Sequence, residues 1–428
     1  MLVIISDLHF TDGSTSNKDG NVDLFNIHPN AFRLFLSKIS NIVSRRKKQI
    51  QKITFIYNGD IFDIIRTYAW FHMPENHRPW SVPLAKREVY EKCNDILYNV
   101  MRHNDEALAW LNGQHPDFSE VWQVEKEIER VYIPGNHDRI INLHPPCRRQ
   151  VHAGLLGNSG NGQFENKYMD LNYQTLVMHG HESDAFNCEF ASDGTPQYAD
   201  APIGDPLTTM LFVLLGYRAN FLSIPGRAKN RFREIDNVRP HLAGIRFVQD
   251  IITDFHINDQ VAGMLRRLTT EFENLDFYKN WLQAHDKLNL GFDEADKLQF
   301  ALRTVQLAGP SIPAGLLEKL ADLVRDEYCS KLAKRILKKA AGGSLRYCVM
   351  GHTHEPLHVP LYVDQKRNME KHYLNCGTFR STFALTHDRR DFLKFQRMSF
   401  VIVYGPNEFS LDEQKPVYEL WSGLRMHH

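Results

Sequence analysis

Short apolar runs alternate with amphipathic stretches along most of the chain, and polar residues cut each apolar run off sharply. Leu2–Ser6 reads as a strand, followed by a polar loop to about Ile27. From Pro29 to Lys48, Phe32, Phe35, Leu36, Ile39, Ile42 and Val43 recur at helical spacing. The basic run Arg45–Lys48 at the end of that stretch suits the negative pole of a helix. Further strands are predicted at Ile53–Tyr57, Arg130–Pro134, Gln174–Met178 and Arg346–Met350, with a long helical excursion over about 64–127. Three β-like segments close the chain, at His372–Asn375, Ser399–Tyr404 and Val417–Trp421. Between them, residues 185–343 read mostly helical, as in Val261–Leu275 and Leu316–Ala341. Because sheet-forming segments resume only afterwards, this block reads as an insertion into an α/β domain. The expected organisation is 1–184 and 344–428 as two parts of one core, with 185–343 as a helical cap.

Composition narrows the class without choosing a partner. At 43% hydrophobic and 24% charged, the 428-residue chain is neither collagen-like nor wholly disordered. Fifty-one basic residues balance 51 acidic ones, so attraction to nucleic acid or an anionic membrane would need a local patch. The most apolar run, Met210–Tyr217, is too short to cross a bilayer, and the N-terminus leads directly into a strand. Six scattered cysteines read as reduced thiols, which makes the cytoplasm the expected compartment.

The candidate chemistry lies at the strand ends. Immediately after the last apolar residue of successive strands stand Asp7 and His9, Asp60 and Asp63, Asn136, His137 and Asp138, His179, and His352 and His354. The carboxyl ends of strands are where sites form in open α/β sheets, so residues far apart in sequence can converge there. Carboxylate, imidazole and amide oxygen without thiolate suit Mn, Fe or Zn, and argue against a structural zinc site. Asp-x-His and His-x-His on extended backbone would each point both side chains one way. Glycines before Asp60, Asn136 and His352 permit tight turns and close backbone approach to a ligand. Seven ligands are too many for one catalytic ion and about right for two sharing a carboxylate.

In order along the chain these segments are Asp7-Leu-His9, Gly59-Asp-Ile-Phe-Asp63, Gly135-Asn-His-Asp138, His179-Gly180 and Gly351-His-Thr-His354, with Asn375-Cys-Gly-Thr378 following. That series resembles the calcineurin-like metallophosphoesterase superfamily, over roughly residues 1–181 and 345–425. The resemblance implies a four-layer α/β/β/α sandwich of two mixed sheets. It also implies one divalent ion on Asp7, His9, Asp60 and His354, and a second on Asp60, Asn136, His179 and His352. A hydroxide bridging the ions would attack a phosphomonoester, phosphodiester or pyrophosphate. His137 would protonate the leaving oxygen, and Asp63 would orient it. His181 is the alternative to His179, whose place before the glycine matches the family. Asp138 reads as loop support, and His28, His72 and His77 as solvated loop residues. The absence of a tyrosine at Asp63 separates the chain from purple acid phosphatases, and Ile64-Ile65 separate it from phosphoprotein phosphatases. Its motif form is nearer to bacterial phosphodiesterases and UDP-2,3-diacylglucosamine hydrolase-like members. The alternatives are a metal-dependent nuclease and a non-catalytic binding scaffold on the same fold.

Arg66 and Arg139, just beyond two of the motifs, are the expected phosphate clamps by position, for a small-molecule phosphoester substrate. The insertion carries a basic stretch from Arg218 to Arg246 and a basic helix with Lys331, Lys334, Arg335, Lys338 and Lys339. These read either as solvated faces or as cations brought over the site. Met210–Leu222 reads as a buried cap helix or as an acyl-chain surface.

Overall fold

A computed structural model of the chain describes residues 1–15, 27–83, 86–239, 243–286, 293–308, 327–386, 391–410 and 414–424. Its strands are β1 (Leu2–Ile5), β2 (Lys52–Asn58), β3 (Glu127–Ile133), β4 (Lys167–Asp170), β5 (Thr175–Met178), β6 (Glu189–Phe190) and β7 (Pro196–Gln197). They continue with β8 (Val238–Arg239), β9 (Tyr347–Met350), β10 (Pro356–Asp364), β11 (Met369–Cys376), β12 (Ser381–Leu385), β13 (Phe392–Tyr404) and β14 (Val417–Leu424).

Two mixed sheets organise the α/β fold. One runs β3-β2-β1-β13-β12-β8, with β14 also paired to β13; the other runs β10-β11-β9-β5-β4. β1, β2 and β3 are mutually parallel in the first sheet. β5, β9 and β11 are mutually parallel in the second. The motif-bearing loops therefore leave from the carboxyl ends of two parallel sets, which is how distant residues come to share one edge.

Side-chain alternation sorts each sheet into two apolar faces. Leu2, Ile4, Ile56, Ile133, Val401 and Val403 of the first sheet pack with Val177, Tyr347, Val349 and Leu374 of the second. On the outer face of the first sheet, Val3, Ile5, Phe55 and Tyr57 meet Phe32, Phe35 and Ile39 of the helix Asn30–Arg45. On the outer face of the second, Leu176, Cys348 and Met350 meet Cys329, Leu332 and Leu337. Those last three belong to the helix Glu327–Lys339, so this helix covers the second sheet and is not part of a cap. Residues 316–326 of the predicted helix Leu316–Ala341 lie outside the described residues.

The rest of the insertion has its own core, which includes Met210, Leu214, Leu215, Phe232, Phe247, Phe272 and Trp281. Met210–Leu222 therefore serves chiefly as packing. The insertion is tied to the core by β8, which pairs in parallel with β12 at Phe383–Val238 and Ala384–Arg239. All six cysteines are buried thiols outside any disulfide. Among the described residues no helix is long and apolar enough to cross a membrane.

Candidate metal centre

Five of the motif residues stand in left-handed backbone conformation: Asp7 (φ 54°), His9 (46°), Asp60 (51°), His352 (70°) and His354 (63°). This corrects the expectation of extended Asp-x-His and His-x-His segments. The chain leaves each strand through a sharp turn that costs non-glycine residues energy, and such strain persists where surrounding contacts over-determine it. Those contacts are visible. Asp7 N–H donates to Gly59 O at 3.0 Å and His9 N–H to Asp60 O at 2.8 Å, lacing the first two motif loops together. Asp138 accepts from Gly135 N at 2.6 Å and Ile61 N at 2.9 Å, lacing the second to the third. Thr378 Oγ1 donates to Asp7 O at 2.5 Å, and Asn375 Nδ2 to Gly351 O at 2.6 Å. The Asn375–Thr378 turn is thus a buttress for the first and last motifs.

The motif glycines also have a use other than a turn facing a substrate. A Cβ on Gly135 would overlap the Asp60 carboxylate, and one on Gly351 would overlap that of Asp7. Both positions are glycine because a ligand side chain lies against the backbone.

The seven sequence-predicted ligands converge. Asp7, His9 and His354 offer atoms within 4.8 Å of one another, as do Asp60, His179 and His352. His9 Nε2 and His354 Nε2 face each other at 3.0 Å, with Asp7 Oδ1 3.4 Å from His354. Asp60 Oδ2 lies 3.6 Å from His9 Nε2 and 3.2 Å from His179 Nε2, so one carboxylate oxygen faces both groups. Asn136 Oδ1 lies 3.2 Å from His179 Nε2 and completes the second group. His9, Asp63 and His137 also lie together, but hydrogen bonds between the carboxylate and the two Nδ1 atoms account for that grouping.

Outer partners set which ring nitrogen each histidine offers. His179 Nδ1 donates to Asn58 O at 2.9 Å, leaving Nε2 for the cluster. His352 Nε2 pairs with Asp184 Oδ2 at 3.0 Å, leaving Nδ1. His9 Nδ1 pairs with Asp63 Oδ2 at 3.0 Å, again leaving Nε2. These arrangements fit a cation centre: buried carboxylate oxygens and imidazole nitrogens converge in two groups. Charge perturbations point the same way. Burial opposes ionisation of Asp60, yet His179, His137 and His9 hold its carboxyl well below the usual range. Burial likewise disfavours a charged His179, but Asp60 and Asp7 push it up to about 10, a measure of how strongly this spot calls for positive charge.

His181 is buried beside His179, ring centroids 5.4 Å apart, outside both three-ligand groups. Desolvation, with His179 and His352 next to it, pushes its pKa well below normal, so it is neutral. Asp63 accepts from His137 Nδ1 through its other oxygen at 3.0 Å. Burial would lower the His137 pKa, but Asp63 and Asp60 outweigh it and raise it.

Arg66 and Arg139, expected from their position in the sequence to be phosphate clamps, are already engaged by carboxylates. Both are buried, Arg66 paired with Asp236 and Asp63, and Arg139 with Asp205 through both terminal nitrogens at 3.1 and 2.6 Å. Carboxylates of the insertion have taken these guanidiniums because a buried charge must be paired. Sequence reasoning did not single out Asp184, Asn187, Asp205 or Asp236, which hold His352, Asn136, Arg139 and Arg66. Only Asp184, close behind the His179 motif, carried a local signal. Within the basic stretch, Arg218 pairs with Glu271, Arg231 with Asp254 and Arg246 with Asp250, all carboxylates of the insertion.

The chain matches no protein-family model, and no curated protein matches it.

Proposed function

We propose that this chain is a dinuclear metal-dependent phosphoesterase of the calcineurin-like type, built as a four-layer sandwich with a helical insertion. The observation that carries the reading is the Asp60 carboxylate, one oxygen of which faces both His9 Nε2 and His179 Nε2 at the junction of two three-ligand groups. The layering is supported by an apolar core between the sheets and helices on their outer faces.

Asp7, His9, Asp60 and His354 would hold one divalent ion, and Asp60, Asn136, His179 and His352 the other. Their oxygen and imidazole donors suit Mn, with Fe or Zn as substitutes. When bound, two such ions neutralise phosphoryl oxygens and make water nucleophilic near neutral pH. The protein's own part is orientation and proton transfer. Asp63 fixes the His137 ring through Nδ1, so Nε2 is the nitrogen that gives a proton to the leaving alkoxide. Against the effect of burial, Asp63 and Asp60 raise the His137 pKa, which favours the protonated ring. The buttresses from Asp138, Asn375 and Thr378 hold the ligand loops so that little reorganisation is needed when charge develops.

The test is hydrolysis of bis-p-nitrophenyl phosphate, p-nitrophenyl phosphate and a nucleoside diphosphate sugar by the full chain. Activity on at least one, abolished by chelator and restored by Mn, is expected. Absence of hydrolysis of all three with Mn, Fe or Zn supplied overturns the reading.

A further inference from the structure

Two histidines outside the motifs meet at the edge of the second sheet. β10 is the edge strand there and pairs antiparallel with β11, with Pro360 opposite His372 and His358 opposite Leu374. His358 and Pro360 are two residues apart, so His358 and His372 are diagonal neighbours on one face of the pair. Their rings meet: His358 Nε2 lies 3.0 Å from His372 Nδ1, with ring centroids 5.2 Å apart. Tyr418 of β14, a strand of the first sheet, closes the group. Its phenol oxygen lies 3.1 Å from His358 Nδ1 and 3.0 Å from His358 Nε2. His372 is 7% exposed and His358 is exposed, so the group is anchored at one end and open to solvent at the other.

Both rings carry a lone pair near neutral pH. Burial lowers the pKa of His358, and burial, His358 and Arg346 lower that of His372. Between two neutral imidazoles a single proton makes the contact, one nitrogen donating and the other accepting. A metal ion can take the place of that proton. Bonds of about 2.0–2.1 Å to one ion, at angles between square and tetrahedral, place two nitrogens roughly 2.9–3.4 Å apart. The observed separation of 3.0 Å falls in that range without rearrangement. With Nδ1 bound, the His372 ring proton sits on Nε2, 3.5 Å from Glu370 Oε2. A carboxylate beyond a ligating imidazole is the usual way of fixing its tautomer. Two imidazole donors suit copper, nickel and zinc, whereas Mn prefers oxygen.

We propose that His358 and His372 form a separate site for one transition-metal ion, copper(II) ahead of zinc, that fastens the edge strand β10 to β11. Solvent fills the remaining coordination positions on the open side. The proposal goes beyond the phosphoesterase reading and does not rest on it. The two nitrogens are brought together only by the folded sheet, so the ion binds the native state and stabilises it.

The experiment equilibrates the full chain with Mn and titrates it with copper(II), for wild type, His358→Ala and His372→Ala. Copper and Mn are counted by mass spectrometry, and the copper is examined by electron paramagnetic resonance. Copper can also enter the candidate metal centre, so the reading is the difference between wild type and variant. Wild type is expected to hold one copper more than either variant, with hyperfine splitting from two imidazole nitrogens that the variants lack. Zinc should raise the melting temperature of wild type and leave that of His358→Ala unmoved. Because His358 is exposed, His358→Ala decides the matter if His372→Ala does not fold. Equal copper uptake by wild type and His358→Ala overturns the proposal. Loss of Mn from His358→Ala also overturns it, since the pair would then serve the candidate centre. A wild type that takes up this copper but no Mn supports the site while sinking the hydrolase reading.

Discussion

The carboxylate of Asp63 holds His137 through one oxygen, Oδ1 to Nδ1 at 3.0 Å, and its second oxygen holds Nδ1 of His9 at the same distance. Buried but kept well below its usual pKa by His137 and Arg66, which together outweigh the cost of burial, it is ionised and can only accept. One residue thus orients both the candidate acid and a candidate metal ligand.

Replacing Asp63 with Asn leaves one acceptor oxygen for two imidazoles. We expect weaker metal binding at the site of His9, by about 10- to 100-fold as for lost outer partners of ligands. Removing the charge that raises the His137 pKa should also move the alkaline limb of kcat/KM to lower pH. A limb unmoved in Asp63→Asn would show that His137 is not the titrating acid.

His137→Ala tests the division between acid and ligand. Its Nδ1 is committed to Asp63, so no metal ligand is lost. Metal content should stay near wild type while kcat falls roughly 100- to 10,000-fold, most for poor leaving groups. Loss of metal would assign His137 to the ligand set.

Gly135→Ala and Gly351→Ala are expected to act through the carboxylates they displace. The added methyl overlaps Asp60 in the first and Asp7 in the second. Each should lower metal content and cost about 1–3 kcal/mol in denaturant unfolding. A variant with full metal content would mean that the backbone yields at no cost to the ligands.

Arg139→Ala should behave as a stability mutation. It leaves Asp205 buried and uncompensated, a loss of about 3–5 kcal/mol. Replacing both partners by apolar residues, Arg139→Met with Asp205→Leu, should recover most of it. If the single variant melts normally but loses phosphate affinity, the clamp role inferred from its position in the sequence is restored.

How far the sequence carried the architecture depended on whether a feature was local. Strands β1, β2, β5 and β9 are short buried runs ending in polar ligands, so their pattern and their chemistry were legible together. β10, with two prolines and half-exposed side chains, and the two-residue β8 lack such a pattern and were not foreseen. Within the predicted helical excursion, the helices Arg87–His103 and Asp105–Asn112 are separated at Asn104, whose side chain turns to Thr11 O and Val100 O. The candidate ligands could be listed because each follows its strand directly. The partners of Arg66 and Arg139 could not, because Asp236 and Asp205 lie far along the chain and only the fold brings them near. The same distance hid the approach of Arg239 to His354.

The central claim is a shared carboxylate between two cations, and metal stoichiometry tests it most directly. The full chain, equilibrated with Mn and freed of excess, should carry two ions by mass spectrometry. Asp60→Asn should lose occupancy at both sites together. One ion or none in the wild type, or a variant that gives up a single ion and keeps the other at full affinity, would contradict the account.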